Sequence, residues 1–151
     1  MHGKSSMLYL DNAATTPLLP EVRKVMINYM VDNFGNPSSI YKIGRMNKIA
    51  VEEARKSIAK TIGACPDDIF FTSGGTESDN WVLESAAESA TESDSAHIIV
   101  SAIEHPAVIN KCIQLKKRGC DVDYIKTDKN GIIYTDDLIS KIRDDTKLIS
   151  V

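Results

Sequence analysis

Apolar residues recur at helical spacing along the first 60 positions. Behind an extended entry at residues 8–10, Val22, Val25, Met26, Tyr29 and Met30 fall three and four apart after Pro20, which suits a first helical turn. Residues 20–33 are therefore predicted as an amphipathic helix. Gly35-Asn36-Pro37 breaks it, and Ser38 or Ser39 is placed to cap the next. From Ile40 onward, Ile43, Met46, Ala50, Ala54, Ile58 and Ile62 draw one apolar stripe through a charged background, closed by Gly63. That stripe predicts a long helix with its apolar side in the core.

The period then changes. Ile69-Phe70-Phe71 reads as a short buried strand that stops at Thr72-Ser73-Gly74-Gly75, and a helical pattern opens near Thr76 and continues through Trp81, Val82, Leu83, Ala86, Ala87 and Ala90. Beyond a polar loop at residues 91–95, His97-Ile98-Ile99-Val100-Ser101 reads as another strand. Pro106 opens a helix carrying Val108, Cys112 and Leu115, which Lys116-Lys117-Arg118-Gly119 ends with cations and a glycine. Asp121-Val122-Asp123-Tyr124-Ile125 alternates as an outer strand does, Asp128-Lys129-Asn130-Gly131 is a turn, residues 134–143 form a short helix, and Lys147-Leu148-Ile149-Ser150-Val151 is a further apolar strand. Strands separated by helices predict an α/β chain with a mainly parallel sheet and helices on both faces.

Composition narrows the class. The 151 residues are 42% hydrophobic and 26% charged, as in a globular protein able to bury a core. A net charge of -3 gives no electrostatic reason to expect nucleic acid or an anionic membrane surface as partner, and no apolar run approaches a membrane span. Residues 1–7 lack an apolar signal core and read as a flexible leader. Cys65, Cys112 and Cys120 are odd in number and without Cys-x-x-Cys spacing, so neither a disulfide framework nor a metal site is expected, and the setting is read as reducing and cytoplasmic.

Candidate chemistry sits at two strand ends. In Thr72-Ser73-Gly74-Gly75-Thr76-Glu77-Ser78-Asp79-Asn80 a bare-backbone turn feeds a helix, whose first N–H groups and dipole suit an anion. The turn is neither a Walker A loop nor a Rossmann fingerprint. Alone it admits two readings, a phosphate site or an ordinary strand-to-helix turn capped by threonine; Glu77 and Asp79 would repel phosphate unless turned away. His105, after the next strand, reads on its own as a hydrogen-bonded strand-end histidine before it reads as a site residue. Both positions fall at the carboxyl ends of strands, where ligands gather in α/β sheets. His2 and His97 receive no role.

Four segments taken together go further. Tyr9-Leu10-Asp11-Asn12-Ala13-Ala14-Thr15-Thr16-Pro17, Asn33-Phe34-Gly35-Asn36-Pro37-Ser38-Ser39, the stretch from Thr72 to Asn80, and Glu104-His105 resemble, in order and spacing, the first half of a cysteine desulfurase. These are pyridoxal-phosphate (PLP) enzymes of the class V aminotransferase group. The resemblance spans residues 8–151 and implies an aspartate-aminotransferase-like, three-layer αβα large domain, here incomplete. It implies that Gly75 and Thr76 hold the phosphate of pyridoxal 5′-phosphate, and that His105 stacks on its ring and takes part in proton transfer. The loop with Asn12 and Ala13 would cross the substrate mouth; a packed amino-terminal arm is the other reading. Tyr41 departs from the histidine frequent at that place, and Gly75 replaces a common alanine while keeping its backbone donor.

The activity implied is conversion of L-cysteine to L-alanine with sulfur left as an enzyme persulfide, passed to scaffold or acceptor proteins for iron-sulfur cluster or thio-cofactor assembly, in a homodimer. The family's Ser-x-His-Lys segment, with the Schiff-base lysine, and its sulfur-accepting loop cysteine match nothing up to Val151. The chain alone is therefore expected to be inactive and to associate with the missing half. Two other readings stand beside this one: a non-catalytic half that binds a phosphate ligand or a partner, and a selenocysteine lyase or another class V relative.

Overall fold

A computed structural model describes residues 8–89 and 96–151. The expected leader at 1–7 and the polar loop at 91–95 lie outside the described residues. The chain forms two compact units, Met1–Phe70 and Phe71–Val151.

In the first unit, α1 spans Pro20–Val31 with its proline in the first turn, and α2 spans Lys42–Ile62. Gly63 ends α2 in the left-handed conformation (φ 72°), where a side chain would be strained. Neither serine caps α2: Tyr41 holds the cap position without a side-chain bond, while Ser38 N donates to Asn36 Oδ1 at 2.8 Å in a turn ahead of the helix. The buried side of α2 also differs from the apolar stripe. Gly44, Asn47 and Ala59 are buried, whereas Met46, Ile58 and Ile62 are exposed. Polar anchoring sets this rotation. Asn47 Nδ2 donates to the carbonyls of Asn33 (2.6 Å) and Gly35 (2.5 Å), and the Arg55 guanidinium donates to the carbonyl of Ile69.

The expected strand at residues 69–71 is not one. A 3-10 turn at Pro66–Asp68 leads into an extended segment that belongs to no sheet, with Phe70 66% and Phe71 50% exposed. Apolar composition alone does not make a strand; a ladder partner does, and the described sheet pairs other segments.

The second unit contains that sheet. Its elements are α3 (Gly75–Glu88), β1 (His97–Ser101), α4 (Pro106–Lys117), β2 (Asp121–Ile125), α5 (Thr135–Lys141) and β3 (Thr146–Ser150). The strands are parallel in the order β2-β1-β3. From β1 the chain crosses to β2 through α4, then returns past β1 to β3 through α5. Parallel crossovers are right-handed as a rule, so two of them running in opposite directions are expected to put α4 and α5 on opposite faces, a three-layer arrangement. Ile98, Val100 and Val122 meet Leu83 of α3 and Val108, Cys112 and Leu115 of α4 in one core cluster. Burying each such aliphatic side chain contributes roughly 1.5–3 kcal/mol. Glu84 of α3 takes both Lys111 of α4 and Arg118, the residue that follows α4, which draws its pKa below the ordinary value, through Lys111 first and Arg118 second. Among the described residues no helix is long and apolar enough to cross a membrane.

Candidate functional site

The start of α3 is open. Gly74 precedes the helix in extended backbone (φ 165°, ψ 177°), and no side chain caps it. The first intrahelical bonds run from Glu77 N and Ser78 N to Gly74 O, at 3.1 and 3.2 Å. The amides of Gly75 and Thr76, the first two of the helix, therefore face out of its end with the positive pole of the dipole behind them. A Cβ placed on Gly74 or Gly75 would meet nothing within 4 Å, so a ligand can reach the main chain. Helix α3 begins at Gly75, one residue before the expected start, and Thr76 is inside it and exposed rather than its cap.

Short polar side chains hold this turn in shape. Ser73 donates both its N–H (2.7 Å) and its hydroxyl (2.6 Å) to Glu77 Oε2. The carboxylate is thereby folded back beside the helix end, and those two bonds, hydroxyl first, lower its pKa from the ordinary value. Across the turn, Thr72 Oγ1 lies 2.7 Å from Ser78 Oγ and donates to Gly74 O at 3.2 Å, so the Ser78 hydroxyl is the donor between the two side chains.

His105 is the N-cap residue of α4. Its Nδ1 accepts the Ala107 N–H at 3.1 Å, so the neutral ring carries its proton on Nε2, and the side chain is exposed. Glu104, half-buried, accepts the hydroxyl of Ser150 at 2.7 Å. Helices α3 and α4 both lead back antiparallel to the strands, so their first turns share the carboxyl edge of the sheet. A cavity of about 240 Å³ on that edge is lined by Ser78, Asp79, Val82 and Leu83 of α3, by Val108 of α4 and by Leu148, Ile149 and Ser150 of β3. Gly75, Thr76 and His105 thus lie on one edge of one unit. Asn12 and Ala13 lie in an exposed turn of the other unit, where Ala14 N donates to Asp11 O at 3.2 Å.

Other groups were silent in the sequence. Ser150 stands 46 residues from the glutamate it binds, a pairing with no local signature. His97 is fully buried, bonded through Nδ1 to Thr146 Oγ1 at 2.8 Å. Of the cysteines, Cys65 is exposed; burial first, then Cys120 and Glu104, pushes the Cys112 thiol up to about 11, and burial also raises Cys120. With pKa values raised by burial, neither Cys112 nor Cys120 is a ready nucleophile.

The aminotransferase class-V family matches residues 8–151. The cysteine desulfurase IscS of Methanosarcina thermophila is 49% identical over 148 residues, which are 98% of this chain and 36% of the relative. The cysteine desulfurase IscS of Dictyoglomus turgidum is 48% identical over 144 residues, 95% of this chain and 36% of that one. Among solved structures, a NifS-like protein superposes with a TM-score of 0.86 at 37% identity, covering 92% of this chain and 38% of its own. SspA in complex with cysteine gives 0.86 at 37% identity, with 93% and 40% covered. DndA from Streptomyces lividans gives 0.80 at 39% identity, with 94% and 40% covered. This chain spans little more than a third of the length of the two IscS relatives.

Proposed function

This chain belongs to the aminotransferase class-V family, and from that premise we propose that it forms the amino-terminal part of a pyridoxal-phosphate-dependent cysteine desulfurase. The observation that carries the reading is the uncapped start of α3 sharing a sheet edge with the imidazole of His105. An open helix end with clear space above Gly74 and Gly75 fits a phosphate ester, and an exposed imidazole on the same edge fits a flat ring.

Pyridoxal 5′-phosphate, when bound, supplies the electron sink for carbanion chemistry. The chain's own residues do the holding. The Gly75 and Thr76 amides and the Thr76 hydroxyl would donate to phosphate oxygens. Glu77, kept on Ser73, fixes the turn without presenting its charge to them. His105 would cover the ring, and its Nε2–H could give a proton to the reacting substrate. Asn12 and Ala13 are assigned to the substrate-mouth loop on the resemblance alone.

The reaction is L-cysteine plus an enzyme thiol giving L-alanine plus an enzyme persulfide, the carbon–sulfur bond breaking as the sulfur–sulfur bond forms. The names of the relatives support cysteine as substrate. Sulfur delivery to scaffold or acceptor proteins for iron-sulfur or thio-cofactor assembly, in a cytoplasmic homodimer, follows from the resemblance. The test is to supply the complete protein with the coenzyme, L-cysteine and a thiol reductant, and to quantify alanine and sulfide. Equal yields of both are expected, with a large loss in His105→Ala. Absence of alanine in the complete protein would refute the proposal.

A further inference from the structure

The residue before His105 is held from a different strand. Ala102 N donates to Ile125 O, at the end of β2, at 2.9 Å. Glu104 accepts the hydroxyl of Ser150, at the end of β3, at 2.7 Å. Since the strand order is β2-β1-β3, the turn between β1 and α4 is pinned on both sides of the strand it leaves. The His105 carbonyl accepts Val108 N at 2.9 Å and Ile109 N at 3.2 Å, while its exposed side chain has one described bond, the local one from Ala107 N at 3.1 Å. Ser150 also lines the 240 Å³ cavity with Ser78 and Asp79, so the group that grips Glu104 borders the first turns of α3.

We propose that Glu104, clamped by Ser150, is a positioning residue that fixes where the His105 imidazole stands on the sheet edge. The bond spans the end of β1, so losing it frees the turn on its β3 side while the β2 side stays tied. The inference rests on the reading of His105 as a site residue, but the clamp itself is a property of the apo chain. A displacement of about 1 Å at a reacting group can cost on the order of a hundredfold in rate. A pair acting only through position should therefore lower kcat and leave KM nearly unchanged.

The test has two arms. In the protein without coenzyme, long-range ¹H–¹⁵N correlation of the imidazoles reads the His105 tautomer. Wild type should show Nε2–H alone, Ser150→Ala and Glu104→Ala should show both tautomers, and Ser150→Thr and Glu104→Gln, which keep a hydroxyl donor and an oxygen acceptor, should restore the wild-type pattern. In the complete coenzyme-loaded protein the two alanine variants should lose about tenfold or more in kcat. An unchanged His105 signal in both alanine variants would overturn the positioning role, and so would loss of the fold in both, which would assign the pair to holding the unit together. A moved tautomer in a complete protein that makes no alanine from cysteine would instead uphold the clamp and sink the proposed reaction.

Discussion

The Thr146 hydroxyl lies 2.8 Å from Nδ1 of the buried His97 and joins the first residue of β3 to the first residue of β1. Arg143 N donates to the same hydroxyl at 2.8 Å, and the other polar atom of the ring is Nε2. That nitrogen makes no hydrogen bond and lies 3.5 Å from Asp123 Oδ2. The register of β3 shifts beside this pair, between His97 and Ile98, where exposed Lys147 is the extra residue.

Removing the hydroxyl should expose the cost of an unpaired buried nitrogen. Thr146→Val is expected to destabilise the protein by about 1–3 kcal/mol, and Thr146→Ser by much less. Urea unfolding of the two variants reads the difference.

Two glycines should respond oppositely to alanine. A Cβ at Gly44 would fall inside contact distance of Ser39 Oγ and the Asn36 carbonyl, and 2.9 Å from the Ser39 carbonyl. Backbone cannot yield as a side chain can, so Gly44→Ala should cost roughly 1–3 kcal/mol. At Gly75 the same atom meets nothing within 4 Å. Gly75→Ala should fold normally, gain up to about 0.5–1 kcal/mol and keep its backbone amide. Thermal unfolding separates the two.

Glu77 makes a pH-dependent contribution whose sign is fixed. The Ser73 hydroxyl, and then the Ser73 N–H, favour the charged carboxylate and hold its folded pKa below the ordinary 4.5. A folded pKa below the unfolded one means that the stabilisation is complete above 4.5 and disappears as pH falls through the lowered value. The stability gap between wild type and Glu77→Gln should therefore be flat from neutral pH to about pH 5.5 and close on further acidification. Melting temperatures across that range check it.

Thiol labelling should follow burial. Cys65 is exposed, Cys112 is buried with its pKa near 11, and Cys120 is half-buried with a raised pKa. A brief pulse of alkylating reagent at neutral pH should modify Cys65 first and leave Cys112 intact until denaturant is added, as peptide mass spectrometry would show.

Periodicity and end signals carried most of the element pattern. Pro20 and Pro106 opened helices, Gly63 closed one, and the apolar or alternating runs at β1, β2 and β3 became strands. What failed was whatever depended on a distant partner. Residues 69–71 have strand composition but no place in the sheet, and α2 turned its Asn47 side inward because two carbonyls gather around that amide. His97 looked incidental because Thr146 lies 49 residues away. At the site, the glycine turn and His105 were legible as local motifs, whereas Glu104's bond to Ser150 exists only once β3 lies beside β1.

The account stands on the α3 start and His105 forming one cradle for a phosphorylated pyridine. The direct measurement is a ¹H–¹⁵N titration of the protein with pyridoxal 5′-phosphate, compared with pyridoxal, which lacks the phosphate. The Gly75 and Thr76 amides should move most with the phosphorylated form and much less with pyridoxal, while the His105 ring signals move with the phosphorylated form in the same concentration range. Saturating pyridoxal 5′-phosphate that leaves the Gly75, Thr76 and His105 signals in place, or shifts only residues away from that edge, would contradict it.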